Sequence, residues 1–294
     1  MKLKLHALFL AWAVSCTAHV AGVTIAVGAG ESCATPSDAA KIVHDGDTVL
    51  IRPGVYHDVC TWRASRLTIT GPRPPACATI VPPTDKQLAG GKGLWVVDGC
   101  DVSISDMSFE GAKCNDKNGA GLWIGAQSGT TRVERCSFSL NENGILTSAA
   151  PRAELHIERC RFHGCGHGDG YSHNIYVGRI ARLVCRQIDS SHCRNGHCLK
   201  SRALVTEILD SRFDDGDDGL SSYLVNCPNG GQVLLSRSTL VQSPVAPNGI
   251  MVSLGEEGAY PGSTFRDEGN RFENRRTPGI KVRNMCPAAN ADSL

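Results

Sequence analysis

Lys200, Arg202, Tyr176, Tyr223, His173 and His197 carry the most reactive side chains of this 294-residue chain, and they cluster in sequence. A lysine can accept a proton when cationic neighbours disfavour its charge. An arginine can pair a carboxylate through two parallel hydrogen bonds. A phenol or an imidazole can return a proton to a leaving oxygen. Together these are the needs of β-elimination on a uronic acid: a cation at the C6 carboxylate, a base for the C5 proton, and an acid for the departing oxygen. Lys200 is the first choice of base and Arg202 of carboxylate partner, with Tyr176, Tyr223 or His197 as acid. The plain alternative is a solvated edge of charges with tyrosines packed on it.

A second set is acidic. Asp214, Asp215, Asp217 and Asp218 sit in one Asp/Gly run. Such a run can bind Ca²⁺, which takes several carboxylate oxygens. It can supply the two carboxylates of a glycoside hydrolase, or it can be a polar turn. Asn174, Asp215 and Asp218 are placed to touch a substrate. His167 and Asp169 share the rim of a matching turn, and Glu256-Glu257 reads as solvated charge on a later coil. His192-Cys193 and His197-Cys198 carry zinc-ligand types, but an oxidising compartment favours disulfides instead.

The elements that must position these groups are short strands. His173 falls on His197, Ile175 on Leu199 and Tyr176 on Lys200, at an offset of 24 residues each time. Phe109, Phe138, Phe162, Ile188, Phe213 and Leu240 recur at spacings of 29, 24, 26, 25 and 27. Each is followed by a polar turn and a second apolar run. Repeats of this period, with Gly/Asn/Asp turns, predict a solenoid of stacked strands. The fold expected is all-β, a right-handed parallel β-helix with coils about 4.8 Å apart. With Ile175, Leu199 and Leu220 as an inward column, Tyr176, Lys200 and Ser221 point outward, as do Arg202 and Tyr223. His173, His197 and Asp218 form a further column at the turn–strand junction, where alternation does not fix direction. Thr35-Pro36-Ser37-Asp38 opens the one helical stretch, which reads as a cap over the first coil.

Lys+Arg number 30 against 29 Asp+Glu. This balance gives no global field for nucleic acid, so a polyanion must be gripped locally. Residues 1–18 read as a secretory signal: Lys2 and Lys4, an apolar core from Leu8 to Val14, then Cys16-Thr17-Ala18, with Ala21 as a second cleavage point. A lipoprotein anchor at Cys16 is a minor alternative. The chain is therefore expected to be exported, periplasmic or secreted, with no transmembrane segment. One β-helix domain over 23–286, a loose tail over 287–294 and a monomer are expected. Without Cys16, 13 of the 14 cysteines stay, an odd number. Cys136–Cys160, Cys100–Cys114 and Cys60–Cys77 are the pairings considered.

The opening Ser37-Asp-Ala-Ala and Asp45-Gly-Asp-Thr-Val-Leu-Ile-Arg-Pro-Gly-Val-Tyr56 resembles the start of right-handed β-helix proteins of the pectin-lyase-like superfamily. His173-Asn-Ile-Tyr-Val-Gly178, His197, Lys200-Ser-Arg-Ala203, Ser222-Tyr-Leu and Pro228-Asn-Gly-Gly231 resemble a group of secreted bacterial β-helix proteins. The resemblance implies polysaccharide chemistry by lyases, hydrolases or epimerases, often with Lys or Arg at the site and Ca²⁺ on the carboxylate. A lyase acting on an acidic polysaccharide is the leading expectation. A hydrolase using the 214–218 carboxylates, a polymer-level uronate epimerase and a non-catalytic sugar-binding protein are the alternatives.

Overall fold

A computed structural model describes residues 22–287. The stretch expected to be a signal (1–18), Cys16, Ala21 and residues 288–294 of the expected tail lie outside the described residues. Among the described residues, twenty-eight strands and one helix wind as a parallel β-solenoid of about ten turns. Three parallel sheets form its sides. The first, from Thr24–Val27 to Thr264–Glu268, has ten strands. The second, from Gly54–His57 to Arg271–Asn274, and the third, from Cys60–Trp62 to Ile280–Asn284, have nine each. Among the described residues no helix is long and apolar enough to cross a membrane.

The corner between first and second sheets is turned by a single residue in most coils. Asp106, Arg135, Arg159, Gln187, Asp210 and Arg237 occupy it with φ of 60, 51, 52, 52, 53 and 48°. This left-handed conformation costs ~1–2 kcal/mol for a residue with a Cβ. The ladders on either side and ion pairs along the column offset it, as where Arg135 Nε donates to Asp106 Oδ1 at 2.7 Å.

Alternation puts one aromatic per coil into the core. Phe109, Phe138 and Phe162 stack at 5.2 and 4.8 Å between centroids, with planes 9° and 5° apart. The column then continues through Ser190, Phe213, Leu240 and Phe272. The sequence expectation of Ile188 here was two residues short. Ser190 takes the place, fully buried, its hydroxyl donating to Cys198 O at 3.1 Å.

Helix Pro36–Ile42 is capped by Thr35, whose side chain accepts from the Asp38 N–H while the Asp38 carboxylate accepts from Thr35 N–H. It packs on strands Thr24–Val27 and Cys60–Trp62, the first of their sheets. The far end is closed differently. Asp267 stacks on Leu235 and Asn284 on Leu254, so polar groups stand at core positions of the last coil.

The 13 described cysteines are thiols, not disulfides. Cys136 and Cys160 stack in adjacent coils, with the Cys136 N–H 3.4 Å from Cys160 Sγ. Cys60 begins a third-sheet strand, whereas Cys77 precedes a second-sheet strand. Cys100 leads into the first sheet, and Cys114 lies between second and third. The two local pairings therefore join different corners of a coil.

Candidate functional site

On the outer face of the third sheet one residue per coil forms a column: Trp123, Leu146, Tyr176, Lys200, Asn226, Ser253 and Arg283. One coil of 24 residues places Tyr176 beside Lys200, as the repeat offset predicts. Lys200 and Arg202 are two residues apart on one coil, with side chains 15% and 18% exposed. Arg202 Nε donates to Tyr176 Oη at 3.2 Å, and its Nη1 donates to Asn229 Oδ1 at 2.8 Å.

Their counter-charge is Glu257. Its carboxylate lies 3.4 Å from Lys200 Nζ and 2.6 Å from Arg202 Nη1. This corrects its reading as free solvated charge: the 255–258 loop returns along the axis and brings it back two coils. The hydrogen bond from Arg202 holds the Glu257 carboxyl below the usual carboxylate range, helped by the charge of Lys200. Two cations share this one carboxylate, which leaves a local positive excess for an anionic ligand.

A second stack flanks the first. The His173 ring lies 5.5 Å from Tyr176 and 4.5 Å from His197, and His197 lies 4.8 Å from Tyr223. Burial pushes the His173 pKa well down, reinforced by His197, Lys200 and Arg202. Burial, with the charge of Lys200, takes His197 down to about 3. Both rings are neutral at ordinary pH. His173 Nδ1 accepts the His197 N–H at 3.0 Å, so its own proton sits on Nε2.

Tyr223 does not stand in line with Arg202. It pairs with His197, and its hydroxyl lies 3.0 Å from Arg283 Nη2. The turn before it runs over residues 215–222, three longer than the turn over 192–196 in the preceding coil. Leu199 consequently pairs with Val225, while Leu220 is exposed rather than inward. Ser221 and Asp218 leave their expected columns for the same reason.

Asn174 faces inward as well. It is fully buried, accepting from Cys165 N–H at 3.1 Å and donating to Ser190 Oγ at 3.0 Å and Ser191 O at 2.9 Å. Asp215 is equally buried and staples its turn, accepting from His192 N–H at 2.8 Å, Ser221 N–H at 2.9 Å and Ser221 Oγ at 2.8 Å. Burial raises its pKa against these bonds. Asp214 pairs with Arg212, Asp217 with Arg275 at 2.8 Å, and Asp218 with His192 at 3.2 Å. The four carboxylates thus serve separate partners and do not fit Ca²⁺, which needs converging oxygens. Among the described residues no three His, Cys, Asp or Glu side chains gather as metal ligands. That includes the His-Cys pairs considered for zinc.

A cavity of about 330 Å³ opens on the site, lined by Lys92, Asn118, Leu146, Tyr171, His173, Tyr176, Lys200 and Arg202. A larger one, about 480 Å³, lies at the first-to-second-sheet corner beside Pro72, Met107, Arg135 and Arg159. There the arginines are already neutralised: Arg135 by Asp106, and Arg159 by Glu158 at 2.9 Å. The smaller cavity combines the two cations that share Glu257, one neutral imidazole and two phenols, and we place the candidate site there. Sequence reasoning missed Glu257, Asn229, Tyr171 and Lys92. The glycines at 255 and 258 around Glu256-Glu257 were the available signal for a functional loop.

No family model and no curated protein matches the sequence. Solved structures do match in fold. Pectin methylesterase from Aspergillus niger aligns over 90% of this chain and 91% of its own, with a TM-score of 0.62 and 14% identity. Pectin methylesterase from carrot aligns over 92% and 89%, at 0.59 and 13%. Pectate lyase Pel9A aligns over 93% and 82%, at 0.51 and 13%. These likenesses show the fold alone: a right-handed parallel β-helix like that of the pectin methylesterases and the pectate lyase.

Proposed function

We propose that this protein cleaves a uronate-containing polysaccharide by β-elimination in the groove at Lys200 and Arg202. The observation that carries the reading is the cation pair sharing one carboxylate beside the Tyr176 phenol. The structural neighbours, pectin methylesterases and a pectate lyase, support an acidic polysaccharide as substrate.

Arg202 pairs the C6 carboxylate and acidifies the C5 proton. Lys200 lies beside Arg202 with the longer contact to Glu257, 3.4 Å against 2.6 Å, and is the side chain left to act as base. Lys200 then takes the C5 proton, the C–H electrons form the C4=C5 bond, and the C4–O bond breaks. Tyr176 accepts from Arg202, which leaves its own O–H to protonate the leaving oxygen. The neutral histidines are too weakly basic for the C5 proton. His173 offers its Nε2–H to a sugar hydroxyl, and His197 supports it by stacking. Asp215 and Asp218 serve the turn instead of the reaction, which withdraws support from a hydrolase using that run.

Lys200→Ala should lower kcat/KM by about 100-fold or more. Arg202→Lys should mainly raise KM, since a point charge replaces a bidentate fork. Asp218→Asn should stay near wild type. Steady-state rates of unsaturated product formation check all three, and full activity in Lys200→Ala would refute the assignment.

A further inference from the structure

The outer column of the third sheet changes character at Lys200. Trp123, Leu146 and Tyr176, on the coils before it, are partly exposed. Asn226 and Ser253, on the two coils after it, occupy the same outward column but are 1% and 0% exposed. The 255–260 loop covers them. Glu256 accepts from Asn226 Nδ2 and from Ser253 Oγ, the latter at 3.2 Å. Glu257 stands against Lys200 and Arg202.

The loop is tied down along its length. Glu257 N–H donates to Pro228 O at 2.8 Å, and Asn229 Nδ2 donates to Gly258 O at 3.1 Å. Tyr260 N–H donates to Asn229 O at 2.9 Å, and its hydroxyl donates to Arg202 O at 2.9 Å. The cavity agrees with this wall. Its lining runs from Lys92 and Leu146 to Lys200 and Arg202, and includes neither Asn226, Ser253 nor Arg283.

We infer that the groove is blind at Lys200 and Arg202, so the protein engages the end of an acidic polysaccharide chain instead of its middle. This rests on the proposed uronate site and adds the mode of attack. The chain enters over Leu146 and Tyr176, the two column residues before Lys200 that line the cavity, two rungs or about 10 Å of open face. Past the cations stand two carboxylates, Glu256 and Glu257, on a pinned loop. The loop excludes a continuing polyuronate by volume, and Glu256 by like charge. Each elimination breaks one C4–O bond near the terminus and forms one C4=C5 bond, so the released piece is short.

The test uses the full mature chain. Oligouronate hexamers with a fluorescent group at one terminus or the other are titrated by anisotropy into Tyr176→Phe, which keeps both cations and the ring. A blind groove binds one labelled form at least about tenfold more tightly than the other. Equal affinities overturn the inference. Product sizing with wild type gives a second readout: short sugars from the first time points support it, and an early ladder of intermediate lengths overturns it. Label asymmetry with no unsaturated product upholds the blind end and refutes the lyase. Failure of every oligouronate to bind overturns both.

Discussion

Lys200 finds its counter-charge 57 residues away, in Glu257. That distance explains what the sequence shows of the site. Tyr176 and Lys200 are legible as neighbours because one coil of 24 residues, the period of the motif itself, separates them. Glu257 is not, because its loop leaves its own coil and reaches back two. The histidines give the residue-scale prediction. His197 has its pKa taken down to about 3 by burial and by Lys200, while the unfolded chain keeps about 6.5. Between these values the unfolded state binds the extra proton, so stability rises with pH and falls on acidification below about 6.5. A one-proton difference gives a slope of about 1.4 kcal/mol per pH unit. His197→Phe keeps the stack and removes that proton. Its denaturation free energy, measured from pH 6.5 to 4, should fall less steeply than wild type by about one proton; identical slopes would show that His197 titrates normally.

Among the elements, the third-sheet strands carry the site and the turns set their register. Phe109, Phe138 and Phe162 announce the core column because alternation leaves one large apolar residue per coil. The column loses its signature at Ser190, a buried polar residue bonded to Cys198 O and Asn174. The same loss occurs at the 215–222 turn: Leu199 pairs with Val225 and not with Leu220, a register change of five residues that carries Tyr223 from Arg202 to His197. Asp/Gly composition marks a turn but not its length, so the register beyond Lys200 was not readable. Phe138 packs between Phe109 and Phe162, fully within the core. Phe138→Ala should cost about 3–5 kcal/mol through lost burial and an unfilled cavity. Urea denaturation measures it, and a loss below about 1 kcal/mol would mean that the stack contributes little.

At the scale of the whole molecule, a solenoid has two ends, and each is an exposed row of strand edges. The helix Pro36–Ile42 covers one. At the other, Asp267 and Asn284 place polar groups where the preceding coil has Leu235 and Leu254. An inward charge discourages a second chain from adding its strands there. Asp267→Leu should therefore self-associate in sedimentation velocity at concentrations where wild type keeps its own sedimentation coefficient. Unchanged sedimentation would show that another feature guards the end. Between the ends, the third-sheet face holds both the open run at Leu146 and Tyr176 and the cations that stop it. The most direct measurement is the ultraviolet absorbance of wild type and Lys200→Ala incubated with a panel of uronate polysaccharides. Rising absorbance from a C4=C5 product with wild type, lost in Lys200→Ala, is the predicted result. New reducing ends without that absorbance would contradict β-elimination at this site.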